Sequence, residues 1–423
     1  MDRRLLNSAE LRCTAFAVAA WMFLAVPLFA GDWPQILGPQ RDGTAAGEQI
    51  ADSWPASGPP TLWQRNVGSG FAGVAVAKGT AILFHRQGNE EIVEALDALT
   101  GKTRWRASYP TRYSGSIVDD DGPRCVPVIH QDRVIVYGAQ GDLHCLELNE
   151  GKKLWSRATL REFGGSEGYF GAGSTPIAEG NRVFVNVGGS RQGAGIVAFD
   201  LQTGKSVWKA TDEAASYSAP TAATVDGKRH IIFVTRLNVV SVDPENGDVR
   251  FRFPFGARGP TVNAATPLVL DRNLLFVTAS YGVGATLARI GNDGAEVLWN
   301  SDEILSSQYP TPVVHEGKLY GTDGRQDVGV ARLRCIDPLS QRVLWSEEGF
   351  GMAVAILAGD KLILVKTDGE LVLAAADPEK FRPLAKARVS SQTIRALPTL
   401  ADGRLYIRDT SVLKCLDLRP QRQ

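Results

Sequence analysis

No cysteine in this sequence has a partner at a spacing that metal or redox chemistry uses. Cys13, Cys125, Cys145, Cys335 and Cys415 form no C-x-x-C, no C-x-x-C-H and no adjacent pair. That argues against a zinc site, an attached haem or a thioredoxin-like redox centre. Excess charge is also missing: Lys plus Arg and Asp plus Glu each total 46. A balanced chain has no electrostatic footprint for nucleic acid. No run of like charges marks a disordered tail or a basic membrane patch. The five histidines are dispersed. No G-x-S-x-G reads as a nucleophile elbow, because GGSEG (Gly164–Gly168) lies in a loop rather than on a strand–turn–helix. No paired-carboxylate site is identifiable, and no long amphipathic helix follows residue 30.

One long apolar run is present. Arg3, Arg4 and Arg12 precede an apolar stretch from Cys13 to Ala30, the order of a basic n-region and an h-region. Small Ala30 before Gly31 offers a cleavage point, although Leu28 departs from A-x-A. The rival is an uncleaved anchor helix, since the run approaches membrane-spanning length. The turn-rich GDWP that follows favours cleavage. No small-residue cleavage site precedes Cys13, which argues against lipoprotein processing. The expected division is a signal peptide at 1–30, a leader segment at 31–60, one repeat domain at 61–418 and a tail at 419–423. The expected location is periplasmic or otherwise extracytoplasmic.

What the chain has in quantity is a repeat. Short apolar runs separated by Gly or Asp turns lead to a small residue, an apolar residue and an acid, then a turn and a closing aromatic. The cleanest copies are ALDALTGKTRW (Ala95–Trp105) and AFDLQTGKSVW (Ala198–Trp208). Looser ones close at Trp155, Phe251 and Trp345. A further copy closes at Trp299, where one extra turn residue puts Ala288 in the small slot and Gly294 in the glycine slot. A degenerate copy runs from Ala375 through Asp377 to about Leu384. Closing positions 63, 105, 155, 208, 251, 299, 345 and 384 recur about every 46 residues, as four-stranded propeller blades do. The runs RVIVYG, RVFVNV, HIIFVT, NLLFVT, KLILVK and RLYIRD have strand length and strand composition. The last copy ends in VLKCLDL without a closing aromatic, while TLWQRNV, with Trp63, is an orphan closing strand ahead of the first copy. Pairing the two removes both open edges of a ring. The predicted fold is all-β: an eight-bladed β-propeller of four-stranded antiparallel blades, closed by an N-terminal strand.

The pattern A-x-D-x-x-T-G-K-x-x-W resembles the tryptophan-docking motif of the quinoprotein alcohol dehydrogenase-like superfamily, over about residues 60–418. The leader, WPQILGPQRDG followed by WPASGPPTLWQRNVGSGFAG, resembles the start of exported bacterial PQQ-binding-like β-propeller repeat proteins. The chain is also similar to the propeller lipoprotein of outer-membrane protein assembly, a scaffold without a cofactor. The resemblance implies that Trp63, Trp105, Trp155, Trp208, Trp299 and Trp345 dock neighbouring blades. Each indole would pack over a small residue, here Ala95, Cys145, Ala198, Ser241, Cys335, Ala375 or Cys415. Cys145, Cys335 and Cys415 then read as small buried residues. The enzymes of that superfamily hold pyrroloquinoline quinone (PQQ) over calcium, and the alcohol dehydrogenases add a vicinal disulfide. This sequence has no adjacent cysteines and no c-type haem motif, and no calcium-ligand set can be placed in it residue by residue. The best calcium loop is Asp119-Asp120-Asp121-Gly122, which lacks EF-hand spacing and also reads as a solvated turn. His130 and His315 occupy first turns of their blades and read as surface residues.

Loops from one blade's outer strand to the next blade's inner strand gather at one mouth of a propeller channel. The longest here run from about Thr111 to Pro123 and from Leu160 to Ser174. Candidate ligand-binding residues at that mouth are Phe71, Tyr113, Arg124, Tyr169, Tyr217, Asn263, Tyr309, Phe350 and Arg395, with caps for the core as the competing role. The functional expectation is a monomeric, non-catalytic binding or scaffold propeller that recognises an envelope protein, peptide or polysaccharide. No cofactor and no catalytic or metal residue is assigned. The alternatives are an atypical PQQ- and calcium-dependent alcohol or sugar dehydrogenase and a polymer-acting hydrolase or lyase.

Overall fold

The computed structural model describes residues 31–115 and 117–420. The expected signal peptide at 1–30, with Cys13, and the end of the tail lie outside the described residues. Among the described residues thirty-two strands form eight separate four-stranded sheets. Seven sheets are built from consecutive strands: blade 1 from residues 75–110, blade 2 from 128–158, blade 3 from 177–210, blade 4 from 221–254, blade 5 from 268–301, blade 6 from 313–347 and blade 7 from 353–388. Blade 8 takes three strands from 399–417, and its outer strand is Thr61–Asn66. Trp63 there pairs with Cys415, so the ring is closed by the two ends of the repeat region. Among the described residues no helix is long and apolar enough to cross a membrane.

Why the blades stack can be read from the outer hairpins. In six blades the small residue lies directly across the ladder from the closing aromatic: Ala95 from Trp105, Cys145 from Trp155, Ala198 from Trp208, Ser241 from Phe251, Cys335 from Trp345 and Cys415 from Trp63. The indole then reaches the next blade. Trp63, Trp105, Trp155, Trp208, Trp299 and Trp345 donate to the carbonyls of Ala98, Leu148, Leu201, Pro244, Pro338 and Asp377 at 2.8–3.1 Å. The turn glycine of the receiving blade lies flat against the ring. A Cβ on Gly101, Gly151, Gly204 or Gly247 would sit 2.4–2.6 Å from the indole of Trp63, Trp105, Trp155 or Trp208. All four have φ between 68° and 81°, so glycine is required twice over.

Two blades depart from the predicted register. In blade 5 Leu287, not Ala288, opposes Trp299, because the ladder runs one pair further to Ile290 and Ala295. A Cβ on Gly294 would meet nothing within 4 Å, so this glycine takes no part in docking. The blade 4 residue that faces this altered turn is Phe251, which has no N–H to donate, and Ile290 packs with it in one apolar cluster. In blade 7 Leu373 opposes Ala385, so Ala375 is not the small slot and Leu384 is the bulged residue before the closing position. Phe381 fills the glycine position's role by packing on Trp345 at 5.9 Å.

Neighbouring blades are also linked by a belt of hydroxyls. Ser174 donates to Ser218 O, Ser218 to Ala265 O, Thr322 to Ala353 O and Thr399 to Val74 O, at 2.6–2.9 Å. Thr175 and Thr311 accept from Val126 N and Thr266 N. Each such bond joins one blade to the next, and each is buried, where an unpaired partner is costly.

Candidate functional site

The leader decides which end of the channel is accessible. Trp33, 1 % exposed, pairs with Val76 of the blade 1 inner strand through both backbone bonds. Pro34 O accepts from Ile129 of blade 2, Gly43 and Ala45 bond Leu357 of blade 7, and Ala51 bonds Leu418. Glu48 accepts from Asp402 N and Gly403 N of blade 8 at 2.8 and 2.6 Å. Arg41 crosses to the far side. Its guanidinium, 2 % exposed, donates to Gln35 Oε1 at 2.9 Å, to Pro220 O at 2.8 Å and to Pro176 O, ahead of the blade 4 and blade 3 inner strands. Burial without a carboxylate at salt-bridge distance lowers its pKa to about 9. The segment 33–51 therefore lies across the ring, with Glu48 at the end where the inner strands finish and Arg41 reaching into the channel toward their starts. Nothing repeated in the sequence signals this plug.

The nine predicted residues all lie on loops ahead of inner strands, but not all of them face the opposite mouth, and they separate into three groups. Phe71 and Arg395 meet at the seam of blades 8 and 1, where the Arg395 guanidinium lies 5.3 Å from the ring centroid. Arg124 packs on the same ring at 4.6 Å. Its charge is committed: it donates to Asp120 Oδ1 at 2.7 Å, Gly122 O at 2.8 Å and Phe170 O at 3.0 Å, tying the two long loops together. Tyr169, Tyr217 and Asn263 form the second group. Tyr217 accepts from Phe170 N at 2.8 Å and packs edge-on against Phe170 at 5.5 Å. Asn263, 1 % exposed, bonds the carbonyls of Thr235 and Arg236. Tyr169 is 41 % exposed and lies over this group.

The remaining residues do not present themselves to a ligand. Tyr113 is 4 % exposed beneath the loops, and burial raises its pKa. Phe350 does not face the mouth: it is 8 % exposed in the apolar cluster between blades 6 and 7, against Phe381 at 5.6 Å. Its position just before an inner strand fixes its place in the chain but not its direction. Tyr309 is half-buried, with its hydroxyl on Gln326 at 3.3 Å, and burial pushes its pKa up against the opposing effect of Arg395.

Two cavities open here. One of about 300 Å³ lies between blades 8 and 1 and the acidic loop, lined by Phe71, Asp119, Asp120, Arg395, Arg408 and Asp409 among others. Arg408, missed in the sequence, is 2 % exposed and donates to the carbonyls of Ala72, Gly68 and Phe84 at 2.8–3.1 Å. It fastens the closing blade to blade 1, and burial lowers its pKa to about 10. The second cavity, about 220 Å³, lies under Tyr169 and is bordered by Glu167, Tyr217, Arg236 and Asn263.

In the acidic loop Asp119 is exposed, whereas Asp120 and Asp121 are engaged with the protein. Asp120 accepts from Arg124, Gly122 N and Gly70 N, and Asp121 from Gly115 N at 2.6 Å. Those oxygens are committed to holding the loop. Among the described residues no group of three or more His, Cys, Asp or Glu converges as a metal site. His130 is held by Gly180 O at 2.9 Å. Cys125, Cys145, Cys335 and Cys415 are free and buried, and burial pushes their thiols up to about 11–12, which suppresses the thiolate. One buried carboxyl is poised differently. Glu91, 2 % exposed, accepts from Ala139 N at 2.8 Å, and desolvation raises its pKa to about 7.

Blade architecture and ring closure define a PQQ-like β-propeller of the quinoprotein superfamily. A family model described as outer membrane protein assembly factor BamB matches residues 89–347, more than half of the 423 residues, and the chain belongs to that family. No curated protein sequence matches it. Among solved structures it is similar to BamB from Moraxella catarrhalis, with 15% identity, a TM-score of 0.60 and coverage of 86% of this chain and 99% of that one. It is also similar to the quinohemoprotein alcohol dehydrogenase from Comamonas testosteroni, with 14% identity, a TM-score of 0.67 and coverage of 93% and 81%. A europium-containing methanol dehydrogenase gives 13% identity, a TM-score of 0.64 and coverage of 89% of each chain. At these identities the likeness is one of fold.

Proposed function

We propose that the protein is an exported, non-catalytic scaffold propeller that holds an envelope protein at its open mouth. The observation that carries this reading is the asymmetry of the ring. The chain's own leader lies across one end, and the other end presents Arg395 beside the Phe71 ring and Tyr169 on a loop braced by Arg124. Polar side chains around that mouth are largely engaged in holding loops, which suits a rigid recognition surface rather than a proton-transfer site. Membership of a family described as an assembly factor supports a protein partner and an envelope location. The second reading, a quinone-dependent dehydrogenase, draws on the fold likeness to two dehydrogenases. It is weakened because the acidic loop that could have held calcium is already bonded to Arg124 and to backbone amides.

Two measurements together test the proposal. A photo-crosslinking residue at Tyr169 should capture a specific envelope protein, and the same residue at exposed Ala46 on the leader should not. Titration with PQQ plus calcium, followed by absorbance and dye-linked oxidation of alcohols and sugars, should give no saturable binding and no turnover. Turnover would overturn the scaffold reading.

A further inference from the structure

Three arginines stand around the cavity between blades 8 and 1, and their bonding differs. Arg124 is spent on Asp120, Gly122 and Phe170. Arg408 is spent on three carbonyls beneath the cavity. Arg395 is exposed, and among the described residues no carboxylate lies within salt-bridge distance of it and no acceptor takes a hydrogen bond from it. Its guanidinium lies 5.3 Å from the centroid of the Phe71 ring, a contact that uses none of its N–H groups. The wall also carries Asp119, Asp120 and Asp409, of which Asp119 is exposed, and none of the three lies within salt-bridge distance of Arg395. Asp120 is neutralised by Arg124, and Asp409 accepts from Ser390 Oγ at 2.6 Å and from the amides of Ser411 and Val412. Arg408 lies below, bonded to three carbonyls, with Asp120 and Asp409 of the wall acting on its charge at longer range.

From this we infer that the cavity at the seam of blades 8 and 1 is a subsite for one carboxylate of a bound protein, with Arg395 as its forked donor. A planar guanidinium presents paired N–H groups that match the two oxygens of a carboxylate. Thr393 and Thr410, exposed beside it on the cavity wall, supply hydroxyl donors for the same group. The cavity of about 300 Å³ admits an acidic side chain and not a folded domain. The inference rests on the protein-binding reading above and names the chemistry of its contact.

The test uses the full chain with arginine labelled for observation of its Nε–H resonances, the Arg395 signal being assigned by its loss in Arg395→Lys. The probe is the blocked peptide acetyl-Gly-Glu-Gly-amide, with its glutamine counterpart as control. The glutamate peptide should shift the Arg395 resonance saturably, and the glutamine peptide should bind at least about tenfold more weakly, as expected for losing a charge-assisted hydrogen bond. Arg395→Ala should abolish binding and leave the melting temperature unchanged, because this side chain makes no hydrogen bond in the fold. Equal response to both peptides, or undiminished binding by Arg395→Ala, would overturn the subsite. So would saturable binding of digalacturonate or PQQ at Arg395 without binding of the peptide. If the peptide fails while Tyr169 crosslinking still captures its envelope protein, the subsite alone is wrong.

Discussion

Replacing Gly151 by alanine should destabilise the ring far more than the same change at Gly294, although both are glycines of outer hairpin turns. Gly151 has φ of 70°, and an added Cβ would lie 2.4 Å from the Trp105 ring. The left-handed backbone costs a non-glycine residue about 1–2 kcal/mol. Overfilling a packed contact adds about 1–3 kcal/mol. Moving the indole would also strain its 2.8 Å bond to Leu148 O. The sum is about 2–5 kcal/mol. Gly294 has no atom within 4 Å of its Cβ position and lies outside the positive-φ set, so alanine there should be neutral or stabilising by up to about 1 kcal/mol. Thermal and urea unfolding of both variants, followed by tryptophan fluorescence and circular dichroism, measures the difference. Adding Trp105→Phe to Gly151→Ala should cost less than the two single changes together, because the smaller ring leaves room for the methyl group. Equal melting temperatures for Gly151→Ala and Gly294→Ala would refute the claim that blade turns are read by an indole.

Three further outcomes follow from buried polar groups. His144 stacks on Tyr109 at 3.8 Å with neither ring nitrogen bonded, and burial followed by Lys153 lowers its pKa to about 4. The unfolded chain therefore takes up this proton first, and stability should fall by up to about 3 kcal/mol as pH drops from the ordinary histidine range through 4; His144→Phe should flatten that limb of a pH–stability profile. Glu91 has the opposite sign: its folded pKa is raised to about 7, so stability is lost as pH rises from the ordinary carboxyl range toward 7, and Glu91→Gln should be the more stable protein at pH 8, by up to about 3 kcal/mol in urea unfolding. Arg41→Ala leaves the carbonyls of Pro176 and Pro220 without this donor, and should cost about 2–3 kcal/mol and expose residues 33–51 to limited proteolysis, with unchanged protease resistance counting against a plug held by Arg41.

The ring was legible because its information is repeated. A small residue, a turn glycine and an aromatic recur in phase, and each copy confirms the others even when one is degenerate. The errors fall where a copy changed length: one more ladder pair in blade 5 moved Leu287 into Ala288's place, and the longer turn of blade 7 moved Ala385 to the closing position. Both changes are coupled to the neighbouring blade, since Phe251 meets the blade 5 turn without a donor and Phe381 meets Trp345 in place of a glycine. Features that occur once had no such support. Arg41, Arg408 and Arg395 are ordinary arginines in sequence, yet the first anchors the leader, the second fastens the closing blade and the third is left unpaired. The same holds for the acidic loop, whose carboxylates resemble a cation site until Arg124, Gly70 and Gly115 are seen to occupy them. A propeller needs the repeated residues to exist as a ring. What this ring does beyond standing as a ring must therefore reside in the unrepeated ones: the leader across one end, and at the other an arginine that the fold positions against Phe71 and leaves without an acceptor among the described residues.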